Sequence, residues 1–169
     1  ITANAKAIKS IPLKANFLEF GISKIEVRGE VLLELAILEK INKERSKQNE
    51  QLRIEGKKEL ELYKNARNTA AGSLRLKDSA EVAARKLNAV IYQIGYAADK
   101  HGKDITDIFK THEKNLEILS QLGFKTPFQE KGIFTSIYEV ENFCKQWEVK
   151  RDSYPFDIDG MVIKVNNLQ

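Results

Sequence analysis

Cysteine is almost missing from this chain: Cys144 is the only one in 169 residues. That excludes an internal disulfide and a zinc cage built from cysteine pairs, and it favours a reducing compartment, the cytoplasm. Long apolar runs are missing as well. No stretch approaches the roughly 18 uninterrupted apolar residues of a membrane span. The opening "ITANAKAIKSIPLK" has no apolar centre of the kind a secretory signal needs. A soluble protein with no membrane partner is expected. Neither G-x-G-x-x-G nor G-x-x-x-x-G-K-[ST] occurs, so any nucleotide site must be built without the Rossmann fingerprint or the P-loop. The two histidines, His101 and His112, lack identifiable catalytic partners by spacing, and neither is given a catalytic role.

Hydrophobic residues make up 42% of the chain, enough for one domain with a real core. The net charge of +4 is unevenly placed. Residues 40–86 hold 13 Lys and Arg against 7 Asp and Glu, while the remainder holds 15 against 17. Such a zone suits a polyanion such as nucleic acid, and a solvated helical face gives the same count.

Residues 24–31, "KIEVRGEV", alternate apolar and polar positions and predict a strand. Leu35, Leu38 and Ile41 or Asn42 recur at helical spacing from Glu34 to about Arg45. The polar stretch 46–58, with Gly56, reads as an exposed loop leading to a second helix near 58–70. Asp78 and Glu81 mark a helix start, and "AVIYQIGYA" (89–97) is rich in strand formers. A helix over 111–123 carries Leu116, Leu119 and Leu122 and stops at Gly123. Another starts at a Ser136/Glu139 capping box, with Val140, Phe143, Cys144 and Trp147 on one stripe. Strands and helices without regular alternation predict an α+β domain of mixed, largely antiparallel sheet flanked by helices.

Four groups of residues carry possible chemistry, and each has a plain structural reading beside it. In "DIDGMVIKV" a regular strand points Lys164 away from Met161, Ile163 and Val165. Its ammonium sits either at a pocket rim, where it meets a phosphate or a base nitrogen, or in water beyond an Asp-Gly hairpin. Glu26, Arg28 and Glu30 share one strand face, about 6.6 Å apart. A carboxylate there accepts both hydroxyls of a ribose, or the row is only an exposed alternating-charge strand. "ARNTAAGSLR" flanks Ala70, Ala71, Gly72 and Ser73 with Arg67 and Arg75. This is a phosphate or DNA-backbone clamp, or a tight helix-to-turn junction with solvated arginines. Tyr92, in register with Tyr96, stacks on a purine or packs the core with its hydroxyl at the surface.

Together "EVRGE", "RNTAAGSLR" and "DIDGMVIKV", in this order, resemble the adenylation domain of the bacterial NAD-dependent DNA ligases. The likeness runs nearly end to end, from "ITANAKAIKSIP" through "THEKNLEILSQLGF" to "WEVKRDSYPFDIDGMVIKVN". It implies a nucleotidyltransferase-type fold, with residues 1–169 as the central and C-terminal part of a single adenylation domain. Glu30 then binds the adenylate ribose, Tyr92 stacks on adenine, Lys164 reaches the nucleotide, and Asp159 and Gly160 precede that lysine. Arg67, Arg75 and Arg151 contact phosphate or DNA. No Lys-x-Asp-Gly motif occurs here, so the resemblance places the nucleophilic lysine upstream and further domains downstream. It implies AMP transfer from NAD, with Mg²⁺, to that lysine and then to a 5′-phosphate in nicked double-stranded DNA, by a monomeric enzyme of replication and repair. The chain alone is expected to be inactive. An ATP-dependent nucleotidyltransferase of RNA ligase or capping type, and a non-catalytic nucleic-acid-binding module, are the competing readings. Two departures stand out: "NARN" (65–68) replaces the commoner Asn-Pro-Arg-Asn, and the segment 46–64 is longer than the family's.

Overall fold

The computed structural model describes residues 1–169 as an α+β chain. Its regular elements are α1 (Thr2–Lys6), β1 (Lys24–Leu32), α2 (Leu35–Ile54), α3 (Ala66–Ser73), α4 (Ser79–Ala84), β2 (Asn88–Ala98), α5 (His112–Gln121) and α6 (Ile137–Lys150). Contacts divide the chain into two compact units. One comprises Ile1–Ile8, Val31–Asn88 and Ser153–Ile158, the other Lys9–Glu30, Ala89–Asp152 and Asp159–Gln169.

The second unit is organised by the β1–β2 pair. Ser23 N–H meets the Ala98 carbonyl at 2.8 Å at one end, while Gly29 lies against Val90 and Ile91 at the other, so the pair is antiparallel. Ile25 and Val27 of β1 and Ile91, Ile94 and Ala97 of β2 face a core completed by Phe109 and by Ile118, Leu119 and Leu122 of the α5 region. Strict alternation fails on β2, because the buried positions pass from Ala89 and Ile91 to Ile94 and then Ala97 and Ala98. Gly29 is required by proximity. A Cβ there would stand 2.5 Å from the Val90 carbonyl oxygen and 3.0 Å from the Ile91 Cα. At Gly95 the nearest atoms, also at 3.0 Å, are side-chain ends of Arg28 and Glu26, which can move. Gly29→Ala is therefore expected to lower the unfolding midpoint strongly and Gly95→Ala to leave it within a degree or two, measured by circular dichroism on heating.

Helix starts follow the sequence closely. Ser136 and Glu139 form a complete capping box on α6, and Thr111 Oγ1 accepts from Lys114 N–H at α5. Four hydrogen bonds donated to it, that from the backbone N–H of Thr135 first among them, hold the exposed Glu139 carboxyl below its ordinary range. Asp78 caps α4 through Ala80 N–H, while Glu81 turns instead to Arg85.

Two expectations are corrected. Residues 46–54 are not a loop: α2 runs 20 residues to Ile54, and Gly56, at φ +65°, turns the chain out of it. The predicted helix near 58–70 begins only at Ala66, and 57–65 form a strap without regular structure. The reason is a polar helix face that packs like an apolar one. Asn49 donates to the Leu60 carbonyl at 2.8 Å and accepts from Leu60 N–H at 2.6 Å. Asn42 repeats this with Tyr63, both bonds at 2.8 Å. Seven helical residues rise about 10 Å, and three extended residues span about 10 Å, so the two asparagines match two strap residues three apart. Arg45, between them, donates to the Glu61 carbonyl at 2.5 Å. Asparagine side chains thus complete a ladder that a second strand would otherwise supply, and periodicity of apolar residues carries no trace of it.

The other correction concerns 161–165, where a strand was expected. No strand pairs with this stretch. Val162, Ile163 and Val165 are 79%, 64% and 78% exposed, on both faces of the extended chain. The hairpin reading of Asp-Gly also fails, since Gly160 is not among the glycines at positive φ, as a type I′ turn would require.

Candidate functional site

On the outer face of the β1–β2 pair in the second unit, Tyr92 is 37% exposed. The Lys164 ammonium lies over its ring, 4.9 Å from the centroid. The two residues that the sequence named separately are therefore brought into contact. Glu30 is exposed on β1. Its neighbour Gly29 lies against Val90 and Ile91 of β2, the residues just before Tyr92. Along the same row Arg28 is engaged by Glu26 at 3.2 Å, both side chains 59% exposed. Such a pair contributes at most about 1 kcal/mol.

The Lys164 charge is also felt at a residue that the sequence left without a role. His112, at the start of α5, is partly buried. Burial first, and then the Lys164 charge, hold its imidazole below the ordinary histidine range. It is thus neutral at neutral pH, and its backbone N–H donates to the Asn166 carbonyl at 2.8 Å. Asp159 and Gly160 are exposed, and space is open around Gly160, where an added Cβ would meet nothing within 4 Å. Arg151 is exposed at the C-terminal cap of α6.

Arg67 and Arg75 belong to the first unit. There "RNTAAGSLR" forms α3, capped by the Asn65 side chain, which accepts from Asn68 N–H at 2.8 Å. Ala66, Thr69, Ala70 and Ser73 form its buried stripe, and Ser73 Oγ and Thr69 Oγ1 return hydrogen bonds to carbonyls four residues back. The small residues therefore divide by face. Ala70 and Ser73 pack inward, whereas Ala71 and Gly72 are exposed beside Arg67, with nothing within 4 Å of a Cβ at Gly72. The end of the block is tied down by Asn4, whose amide donates to the Leu74 and Leu76 carbonyls at 2.9 and 2.7 Å. Arg75 emerges between them, exposed.

Beside α3 lies a cleft of about 810 Å³ whose lining includes Arg45, Tyr63, Lys64, Asn68, Gly72 and Arg85. Arg45 and Arg85 stack on Tyr63, their guanidinium carbons 4.0 and 5.3 Å from the ring centre, and both donate to its hydroxyl. Burial opposes the Arg85 charge, but the bonds to Tyr63 and Glu81 outweigh it, and the guanidinium is held more firmly protonated than usual. These cations fall within the basic zone at 40–86. Charge counting found the zone but did not select the residues that face one cleft.

The second unit thus presents a half-exposed aromatic ring with an ammonium over it. All of residues 1–169 match the family described as the NAD-dependent DNA ligase adenylation domain. The chain belongs to that family. Among its relatives are the DNA ligases of Sulfurihydrogenibium sp. strain YO3AOP1 (47% identical over 169 residues), Persephonella marina (47% over 169) and Aquifex aeolicus (45% over 167). Each alignment covers 99% of this chain but only 21–22% of the relative. The chain thus spans about a fifth of the length of the ligases it matches. No helix is long and apolar enough to cross a membrane.

Proposed function

We propose that this chain is the nucleotide-contacting part of the adenylation domain of a longer, monomeric, cytoplasmic DNA ligase with a nucleotidyltransferase-type fold. In that reading the full-length polypeptide transfers AMP from NAD to a lysine outside these residues, then to the 5′-phosphate of nicked double-stranded DNA, and seals the nick in replication and repair. The observation that carries it is the placement of Lys164 over Tyr92.

The residues present fit the adenylate half of NAD, which supplies the adenylyl group when bound. Tyr92 offers a ring face for adenine. The cation–π contact that Lys164 makes there is worth about 0.5–1 kcal/mol at an exposed site, whereas stacking a base on an aromatic side chain is worth about 1–3 kcal/mol. Adenine therefore displaces the lysine from the ring and leaves the ammonium beside it, free to pair with a phosphate. Glu30, when ionised, accepts from the ribose hydroxyls. Asp159 and Gly160 present the open, exposed approach to Lys164. Arg67, Arg75 and Arg151 take phosphate or DNA-backbone contacts, and the first unit's cleft adds Arg45, Lys64 and Arg85 to its positive surface. Magnesium belongs to the same proposal. In this reading the ion keeps most of its waters and is held largely by substrate phosphates.

The test is intact-mass spectrometry of the full-length polypeptide after incubation with NAD, and separately with ATP, each with Mg²⁺. A covalent AMP adduct from NAD alone is the expected result. An adduct from ATP alone, or from neither, overturns the proposal. The 169 residues by themselves are expected to seal no nick.

A further inference from the structure

We infer that Asn166, seated on the first turn of α5, is the positioning residue that holds Lys164 at Tyr92. The functional meaning of this rests on the proposal that Lys164 serves the nucleotide; the geometric claim does not.

Something other than sheet pairing must fix the lysine. Residues 161–165 have no partner strand, and Val162, Ile163 and Val165 are largely in water. The contact with Tyr92 is too weak to do it, because about 0.5–1 kcal/mol does not offset the roughly 1–2 kcal/mol of backbone freedom lost for each ordered residue. The first firm anchor lies two residues beyond the lysine. Asn166 accepts twice from α5, its carbonyl from His112 N–H at 2.8 Å and its Oδ1 from Glu113 N–H at 2.9 Å. Thr111 and Asn167 then form an antiparallel bridge, and Leu168 N–H donates to the Lys110 carbonyl at 2.9 Å.

Accounting for the helix start shows how particular this seat is. An α-helix leaves its first N–H groups without intrahelical partners. At α5, Thr111 Oγ1 takes the Lys114 N–H, and Asn115 N–H closes the first regular bond to the Thr111 carbonyl. The remaining two donors, His112 and Glu113, both go to Asn166. One residue thus completes the helix cap and pins the segment that carries the lysine. Only Val165 separates Lys164 from this seat, so anchoring Asn166 limits how far the lysine can move from it. Burial first, and then the Lys164 charge, disfavour the protonated form of His112 beside this seat.

Asn166→Ala removes only the Oδ1 contact and leaves the backbone bond to His112. Asn166→Asp keeps an acceptor, and a carboxylate at a helix N-terminus is favoured by the helix dipole. In the full-length polypeptide, Asn166→Ala is expected to lower kcat/KM for adduct formation from NAD about tenfold, the scale of one lost hydrogen bond, with Asn166→Asp within about threefold of wild type. Placed on Lys164→Ala, Asn166→Ala is expected to cost less than twofold more, because the two residues act as one unit. Full additivity in that double variant, or an Asn166→Ala effect below twofold, overturns the inference.

A second readout does not depend on activity. In spectra of selectively ¹³C-labelled lysine, the ε-methylene protons of Lys164 are expected upfield of other lysines because of the Tyr92 ring. That displacement should vanish in Asn166→Ala and Tyr92→Leu and persist in Asn166→Asp. Persistence in Asn166→Ala overturns the inference. If wild type shows the displacement but forms no AMP adduct from NAD, the proposed function fails while the seat stands.

Discussion

Replacing Lys164 by alanine in the full-length polypeptide is expected to slow AMP transfer from NAD by about 10²–10³-fold, the usual loss when one preorganised charge is removed from a developing anion. The size follows from position. The ammonium lies at an exposed aromatic face, 4.9 Å from the ring centre of Tyr92, and it is held there by the chain rather than recruited from solvent. In the proposed reading the ammonium needs only to shift from the ring to the neighbouring phosphate, so its loss is expected to be felt in the transfer step more than in binding. Tyr92→Leu removes only a stacking surface and is expected to raise KM about tenfold with a smaller change in kcat, on the scale of about 1–3 kcal/mol per stacked base. Single-turnover mass spectrometry of the adduct separates the two. A Lys164→Ala rate within fivefold of wild type, with NAD saturating, would show that the phosphate is served by another cation.

Removing Asn49 is expected to destabilise the first unit by about 2–4 kcal/mol, since alanine leaves the Leu60 N–H and carbonyl without partners at the cost of two unmet backbone groups. Asn49 is 8% exposed, so water does not readily replace the side chain. Asn49→Asp keeps the acceptor for Leu60 N–H but sets a carboxylate against the Leu60 carbonyl, so it should be no better than alanine. Asn42→Ala acts at the other end of the strap, where Tyr63 is also held by Arg45 and Arg85, and a smaller loss is expected. Urea unfolding followed by circular dichroism measures all three. Equal midpoints for Asn49→Ala and wild type would mean that the strap contributes nothing to the unit's stability.

The difference between what was legible and what was not is physical. α5 and α6 were read correctly because their starts are announced locally, by Thr111 and by the Ser136/Glu139 box, and because Leu116 and Leu119 are buried as their spacing implies. β1 shows its alternation openly. α2 was cut short because its later turns are held by asparagines, whose amides look like solvent-facing groups in a sequence and act here as a missing strand. The segment 161–165 was over-read for the opposite reason: strand-forming side chains are a local property, whereas a ladder needs a neighbour. Tyr92 and Lys164 were each identifiable by type and by motif, but their contact is a fact of topology. His112 and Asn166 gave no signal, since a backbone N–H at a helix start and an amide two residues past a lysine have no residue-type signature.

That same uncovered ribbon has a bearing on how the protein behaves in concentrated solution. Without its one charge, "MVIKV" would be five consecutive apolar or strand-forming positions with open backbone groups on both edges, the composition that seeds intermolecular cross-β pairing. Lys164 interrupts that run as a gatekeeper residue does, so the alanine variant is prone to self-association for reasons unrelated to any nucleotide. Lys164→Arg keeps the interruption, and light scattering alongside catalysis separates a chain that has lost its chemistry from one that has lost its solubility.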